Sequence, residues 1–595
     1  MSKPLLIELL TEELPPSALI TLSKSLNATM VDTLIKHEML DSDPTYHIFE
    51  TPRRLASLIQ NVKRHSPSKE VNVKLVPLQI GFDRNKNPTP TLLKKLKSMG
   101  MSEKNLDEIF CDNTGKVAML HIKQKTYGSS VEEIVNEGLK NAIKKMPIPK
   151  LMTYQLDDGL TTAKFVRPLR NLVIMHGDKT LNTELLGISS GNHTIGHRFL
   201  NNKKLHIANI DNYEEMLEKE GKVIVSTAKR KEKIEEQCQK HADHLGYNWR
   251  TSSVSRLLDE VANLVEYPVV YVTSFDDKFL ELPPECLVLT MTTNQKYFPL
   301  FDKNNQLVNQ FLLVSNMLMD DPSNIIEGNQ RVITPRLQDA RFFFETDCKS
   351  RLDAKVLLLK NVVFQNQLGT QFDRAQRISL LASKIATLLK FSKDEAKRAG
   401  YLCKADLISE MVGEFPELQG IMGKYYALND GESQSVAQAI EDHYLPRFYG
   451  DSIPKKETSI CVALAEKLDL LVAIFSINLA PTGDKDPYAL RRCALGVVRI
   501  LIENHLKIDL NRLLEETCHN FPSINSDKIC SSIYDFILER LRGYLKGMGF
   551  MVDEIEAVIT KKPSSFDTII PILKSISSFK ALEEAANLSA ANKRI

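Results

Sequence analysis

The alternation of apolar and polar positions divides the chain into two textures. Up to about residue 325, short apolar runs rich in β-branched residues interrupt amphipathic stretches. Leu5 to Leu10, Leu172 to Met175 and Val269 to Val272 read as strands, and 15–37 and 130–145 as helices with one apolar stripe. A highly charged stretch at 210–244 reads as a surface helix. Val73 to Thr126 reads as an insertion: Pro77, Pro88 and Pro90 surround a turn-rich DRNKNP, and a basic helix, TLLKKLKSMG, stops at Gly100. After Pro335 the pattern becomes almost continuously helical, over RLQDARFFFETD, 350–391, 393–412, 433–444, 458–476 and 487–505, with breaks at Gly413 to Pro416 and Asp451 to Pro454. Helical patterns continue through 527–548 and 551–560, and the closing ALEEAANLSAANKRI reads as an amphipathic helix cut short. The predicted fold class is multidomain α+β: a mixed α/β half, an all-helical domain, then a helical C-terminal region.

The sharpest single element is PTGDKDPYALRRCALGVVRILIE, from Pro481 to Glu503. Asp486 reads as its cap and Pro487 as its first helical residue, with Leu490, Ala494, Val497 and Leu501 as the buried stripe and Arg492 and Arg499 pointing elsewhere. Cations in the opening turns gain nothing from the helix dipole, so Arg491 and Arg492 there point to an external anion, a carboxylate or a phosphate.

Composition narrows the classes. With 595 residues, 43% hydrophobic and 26% charged, the chain is an ordinary globular protein of several domains. Its formal net charge of +2 excludes a uniformly basic nucleic-acid coat, so RNA contact has to come from local Lys and Arg clusters. Nine cysteines without a CxxC pair suggest neither a disulfide framework nor a zinc ribbon. No apolar run approaches the ~18 residues that span a bilayer, and the expected location is cytoplasmic. Walker, Rossmann, GxSxG and HEXXH patterns are absent. His241 and His244 near Glu235 and Glu236 have the spacing of a zinc pair but sit in a charge-rich helix and read as a solvated face. Glu12 and Glu13, before Pro15 and Pro16, read as helix-capping acids. Arg198, beside His193 and His197, suits a phosphate or a carboxylate.

Several motifs follow one another in a fixed order: TEELPP at Thr11, TPRRLA at Thr51, MPIPKLM at Met146, FVRP at Phe165, GHRF at Gly196, VEYPVV at Val265, NQKYFP at Asn294 and GNQRVITPRLQDARFFFETD at Gly328. With the Pro481 run they make the whole chain resemble the beta subunit of bacterial glycyl-tRNA synthetase. The resemblance implies a B3/B4-like domain over 1–72 and 127–325, similar to a module of phenylalanyl-tRNA synthetase that edits mischarged tRNA, interrupted by the 73–126 insertion. It implies a helical HD-like domain over 326–506, then over 507–595 a helical linker and the start of an anticodon-binding domain, most of which is missing. No editing nucleophile or base is identifiable. RAGYLCKADLI and AEKLDLL resemble the frame of HD-type metal phosphohydrolases, with Asp406 and Asp469 at the aspartate positions. Ala405 stands where a histidine is expected, and no histidine occurs between His244 and His443. A dead scaffold without metal follows, its aspartates capping helices or forming internal salt bridges.

The HIGH and KMSKS signatures and the class II ATP-clamping arginine motifs are absent as well. The resemblance therefore places catalysis, ATP and Mg2+ on an alpha subunit of a two-alpha two-beta ligase, with no catalytic residue and no cofactor on this chain. What is left to this chain is holding tRNA(Gly). The candidate contacts are Arg53, Arg54, Lys94, Lys95, Lys97, Lys296, Arg336, Arg341, Arg447, Arg491 and Arg492. Two rival readings are an HD-type nucleotide phosphohydrolase, which needs the histidines this chain lacks, and an RNA-binding protein that acts without a synthetase partner.

Overall fold

The structure, a computed structural model, describes residues 2–582 and 584, apart from 84–86, 100, 102, 113–117, 127, 157, 251–253 and 522–524. The chain forms two compact units, Met1–Ser274 with Met291–Gln330, and Phe275–Thr290 with Arg331–Ile595.

The first unit is organised on a five-stranded antiparallel sheet, in the order Lys179–Thr180, Leu169–His176, Ser2–Thr11, Arg54–Lys63, Tyr46–Thr51. Ser2–Thr11 takes the centre because its apolar run serves two faces. Leu5, Ile7 and Leu9 enter a core with the helices Pro16–Lys36 and Val131–Lys145, and Leu6 enters a second core with Val173, Met175 and Tyr213. A capping box of Ser130 and Glu133 starts Val131–Lys145. Around Trp249, a three-stranded antiparallel sheet of Val269–Ser274, Leu307–Ser315 and Phe298–Phe301 packs with Thr227–Leu245 and Val254–Ala262. The insertion has its own sheet, Lys69–Pro77, Met119–Thr126 and Ile109–Asp112, which with the helix Pro90–Ser98 encloses Leu75, Leu92, Leu96, Leu120 and Ile122.

The second unit is almost wholly helical. Glu457–Ser476 is apolar around most of its circumference and so lies at the centre, touching Gln371–Leu389, Gln434–Asp442, Leu490–Glu503, Leu510–Cys518 and Ser526–Gly547. The segment Phe275–Thr290 packs here, with the Tyr425 hydroxyl 2.9 Å from Glu285 and Cys286 Sγ 3.3 Å from Met422 Sδ.

Several predicted elements need correction. The 350–391 stretch is two helices, Leu352–Leu358 and Gln371–Leu389, separated by a hairpin of Val363–Gln365 with Gly369–Thr370. Consecutive β-branched Val362 and Val363 favour extension, Gly369 sits at φ +83°, and a Thr370/Asp373 capping box starts the second helix. The 210–244 stretch breaks between Tyr213–Lys219 and Thr227–Leu245, where Val223, Ile224 and Val225 are buried; averaging charge over the window hid them. The 393–412 stretch is broken: its first helix ends at Leu402, and a 3-10 turn, Ala405–Ile408, and a short α-helix, Glu410–Glu414, follow. The helix of the RLQDAR motif already begins at Ser323 and runs through Pro335, which lies on its exposed face. Gly100 and most of the closing ALEEAANLSAANKRI lie outside the described residues. Among those described, no helix is long and apolar enough to cross a membrane.

Candidate nucleic-acid interface

Five of the sequence motifs meet at one edge of the first unit. At the centre is Arg54, 1% exposed. Its Nε donates to Glu8 Oε2 at 3.0 Å, Nη1 to Glu266 Oε1 at 3.4 Å and Nη2 to the Ile195 carbonyl at 2.6 Å. Thr51 donates to Glu266 at 2.7 Å and Thr194 to Glu8 at 2.6 Å, while Tyr213 donates its hydroxyl to the other Glu8 oxygen. Burial and the Glu8 carboxylate push the Tyr213 phenol well up, so it stays a donor. Arg54 is therefore corrected from a phosphate contact to a buried tie, whose guanidinium is spent on two carboxylates and a carbonyl.

Around this tie lies a rim richer in arginine than in acid. Arg198 donates to Glu12 and to Glu13, each at 2.7 Å, and Arg170 donates to Glu12 at 2.7 Å. Burial alone would raise the Glu12 carboxyl, but its hydrogen bonds to Arg198 and Arg170 hold it below the ordinary value. Glu12 and Glu13 are not helix caps: the helix they precede has Pro15 at its N-cap, with no side-chain cap. Arg167 donates only to the carbonyls of Glu13 and Val166, at 3.1 and 3.0 Å. Among the described residues, Arg53 has no ion pair and its guanidinium no hydrogen bond; its Nε is buried without a partner. Burial presses its pKa down, with Glu266 opposing and Arg198 and Arg54 adding to the effect. Four guanidinia thus face two exposed-side carboxylates, an arrangement suited to an incoming anion. Sequence reasoning missed Arg167 and Arg170, and the available signal was their spacing in FVRPLR, adjacent to Leu169 at the start of a strand. His197 is buried, its Nδ1 accepting from the backbone of Phe199 and Leu200, and His241 meets the Val270 carbonyl at 3.1 Å.

The remaining candidates are dispersed. Lys94, Lys95 and Lys97 are exposed on the insertion helix. Lys296 pairs with Glu260 at 2.9 Å, and Arg341 with Glu345 at 2.7 Å and Glu281 at 3.7 Å. Arg336 is exposed. In the second unit the helix after Pro481 is Leu490–Glu503, so Pro487 precedes it; Asp486 still caps, accepting from the backbone of Leu490 and Arg491, both at 2.9 Å. Arg499 is buried and tied to Glu503 at 2.6 Å, contrary to its expected freedom. Arg491 donates to the Gly483 carbonyl, while Arg492 and Arg447 are exposed.

Ala405, Asp406 and Asp469, expected from the sequence at HD-type positions, are interior. Asp406 accepts from the backbone of Gly423 at 3.0 Å and of Gly420, capping the helix Ile421–Asn429. Asp469 pairs with Arg377 at 2.7 Å and Arg374 at 3.5 Å. Next to Ala405, the buried Lys404 Nζ lies 2.9 Å from His443 Nε2 and 3.3 Å from Glu466 Oε1. Burial and the Lys404 charge push the His443 imidazole well down, so it is neutral and accepts. Burial pushes the Glu466 carboxyl up, but Lys404, Arg374 and Lys467 outweigh it and hold the group ionised. Among the described residues, no group of three His, Cys, Asp or Glu side chains is placed to hold a metal ion.

The sequence model of the family described as glycyl-tRNA synthetase beta subunit matches residues 5–560. The glycine–tRNA ligase beta subunit of Aromatoleum aromaticum is 45% identical over 592 residues, covering 99% of this chain and 84% of that protein. Those of Thiobacillus denitrificans and Neisseria meningitidis are each 43% identical, covering 99% and 100% of this chain and 84% and 85% of theirs. A match that runs through both units, at this identity, shows that the chain belongs to the glycyl-tRNA synthetase beta subunit family.

Proposed function

We propose that the chain holds tRNA(Gly) for a catalytic alpha subunit in a two-alpha two-beta glycine–tRNA ligase and contributes no residue to the chemical step. ATP and Mg2+ bind on the alpha subunit. The observation that carries this reading is the contrast within the arginines. Arg54, Arg374, Arg377 and Arg499 are consumed by carboxylates of the chain, whereas Arg53, Arg447 and Arg492 have guanidinia without an acidic partner among the described residues, in a chain of net charge only +2. Contacts to the body of the tRNA, remote from the reacting atoms, raise turnover by fixing its 3′ end at the active site.

The test is glycine- and ATP-dependent charging of tRNA by the alpha subunit with and without this chain, together with co-purification of the two. Stimulated charging and a stable complex are expected. No association, with metal-dependent phosphate release from nucleotides by this chain alone, overturns the reading.

A further inference from the structure

In the second unit, the loop after His443 presents Arg447, Phe448 and Tyr449 in succession, with the two aromatic residues 60% and 66% exposed. Side chains of this size and polarity are costly to leave in water, and a pair of them side by side marks a contact surface. The loop that carries them is braced. Asp451 accepts from the backbone of Arg447 at 2.7 Å and of Ser452 at 2.8 Å. The buried Lys467 ammonium donates to the carbonyls of His443 at 3.3 Å and Tyr444 at 3.4 Å. Pro446 is buried against Gly496 of the helix Leu490–Glu503: a methyl added at Gly496 would come within 3.6 Å of Pro446 Cδ and 2.7 Å of Lys467 Cε. Arg492 is one helical turn before Gly496, on the helix face that meets Pro446, while the Tyr449 hydroxyl reaches the helix Ser526–Gly547, 3.0 Å from where a methyl on Gly547 would sit. Among the described residues, neither Arg492 nor Arg447 has an acidic partner; the Arg447 guanidinium lies 6.0 Å from the Tyr444 ring. Two aromatic faces on a stiff loop, flanked by two uncompensated guanidinia, have the makings of a stacking surface with phosphate clamps.

We propose that Phe448 and Tyr449 are a platform for unpaired bases of RNA, with Arg447 and Arg492 taking the flanking phosphates. The proposal rests on the tRNA-holding reading and adds the kind of RNA segment bound here. A duplex does not fit, because its base faces are already stacked inside. A protein partner is the weaker match, since it would have to bring its own acids to both arginines.

The experiment uses the full chain in complex with the alpha subunit. Binding of tRNA(Gly), of a short labelled single-stranded oligoadenylate and of a duplex RNA is compared for wild type, Phe448→Ala/Tyr449→Ala and Arg492→Ala, with thermal midpoints as a folding control. The double variant should bind the oligoadenylate about fivefold or more weakly per lost stacking contact, with an unchanged midpoint and unchanged duplex binding. Wild-type affinity of the double variant for the oligoadenylate, while tRNA still binds, overturns this proposal and leaves the tRNA-holding reading intact. Loss of the alpha subunit from the double variant, with RNA binding retained, makes the patch a subunit interface and also overturns it. If the wild-type complex binds no tRNA, both readings fall.

Discussion

Arg53 and Arg54 are neighbours in sequence with opposite fates, because successive residues at a strand start point to opposite sides. Arg54 is committed to Glu8 and Glu266 in the interior. Removing it leaves two buried carboxylates facing each other without a cation, and breaking such a pair costs about 3–5 kcal/mol. Arg54→Ala should therefore lower the unfolding free energy of the chain by that order in urea denaturation. Arg53 has no side-chain partner among the described residues to lose, so Arg53→Ala should change stability by no more than about 1 kcal/mol while weakening RNA binding. Equal destabilisation by both variants would place Arg53 in the structural tie as well. A local sequence window sees two equivalent arginines. What distinguishes them are Glu8, Thr194 and Glu266, brought in from distant segments.

Among the elements, the helix Ile421–Asn429 is instructive because its cap comes from elsewhere in the chain. Asp406 supplies it from the turn Ala405–Ile408, and burial raises this carboxyl to about 6, against the pull of the Gly420 and Gly423 amides and of Lys404. An unfolded aspartate titrates near ~3.9, so between about pH 4 and 6 the folded chain keeps a proton that the unfolded chain has lost. The sign follows: the contribution of this group is fully present below the unfolded pKa and is lost as pH rises through the folded one. Asp406→Asn keeps an oxygen for both amides and cannot ionise. The stability of the variant relative to wild type should accordingly rise between pH 4 and 7, by up to about 3 kcal/mol, in denaturation curves run in parallel. A difference that is flat with pH would show that the carboxylate is not disfavoured by its burial. Elements with strong local signals, such as 15–37, 130–145 and 458–476, emerge as Pro16–Lys36, Val131–Lys145 and Glu457–Ser476. Those that fail, 350–391 and 210–244, contain apolar residues that the composition of the surrounding window outweighs.

For the whole molecule, the near balance of 77 basic and 75 acidic residues means that the proposed RNA affinity has to come from a few local contacts, not a global field. Each phosphate contact adds roughly 0.7–0.9 to the slope of log affinity against log salt. Arg53→Ala and Arg492→Ala, one in each unit, should each remove about one such increment, and the double variant about two, when tRNA affinity is titrated over a salt series. A double variant no shallower than either single one would mean that the two residues do not meet the same RNA.

The sequence by itself determined the family, the two textures and most helix starts, because these depend on motif order, apolar periodicity and capping residues that act within a few positions of one another. It also marked out Arg53, Arg198, Arg447 and Arg492 among the arginines suited to an anion, but not Arg167 and Arg170. Only the tertiary structure decided which of them are available. Whether a guanidinium is neutralised depends on carboxylates hundreds of residues away, as Glu266 is from Arg54, and on burial, which no local pattern encodes. The same long-range packing gathered TEELPP, TPRR, FVRP and GHRF around one rim, and seated Pro446, at the base of the Phe448–Tyr449 loop, against Gly496.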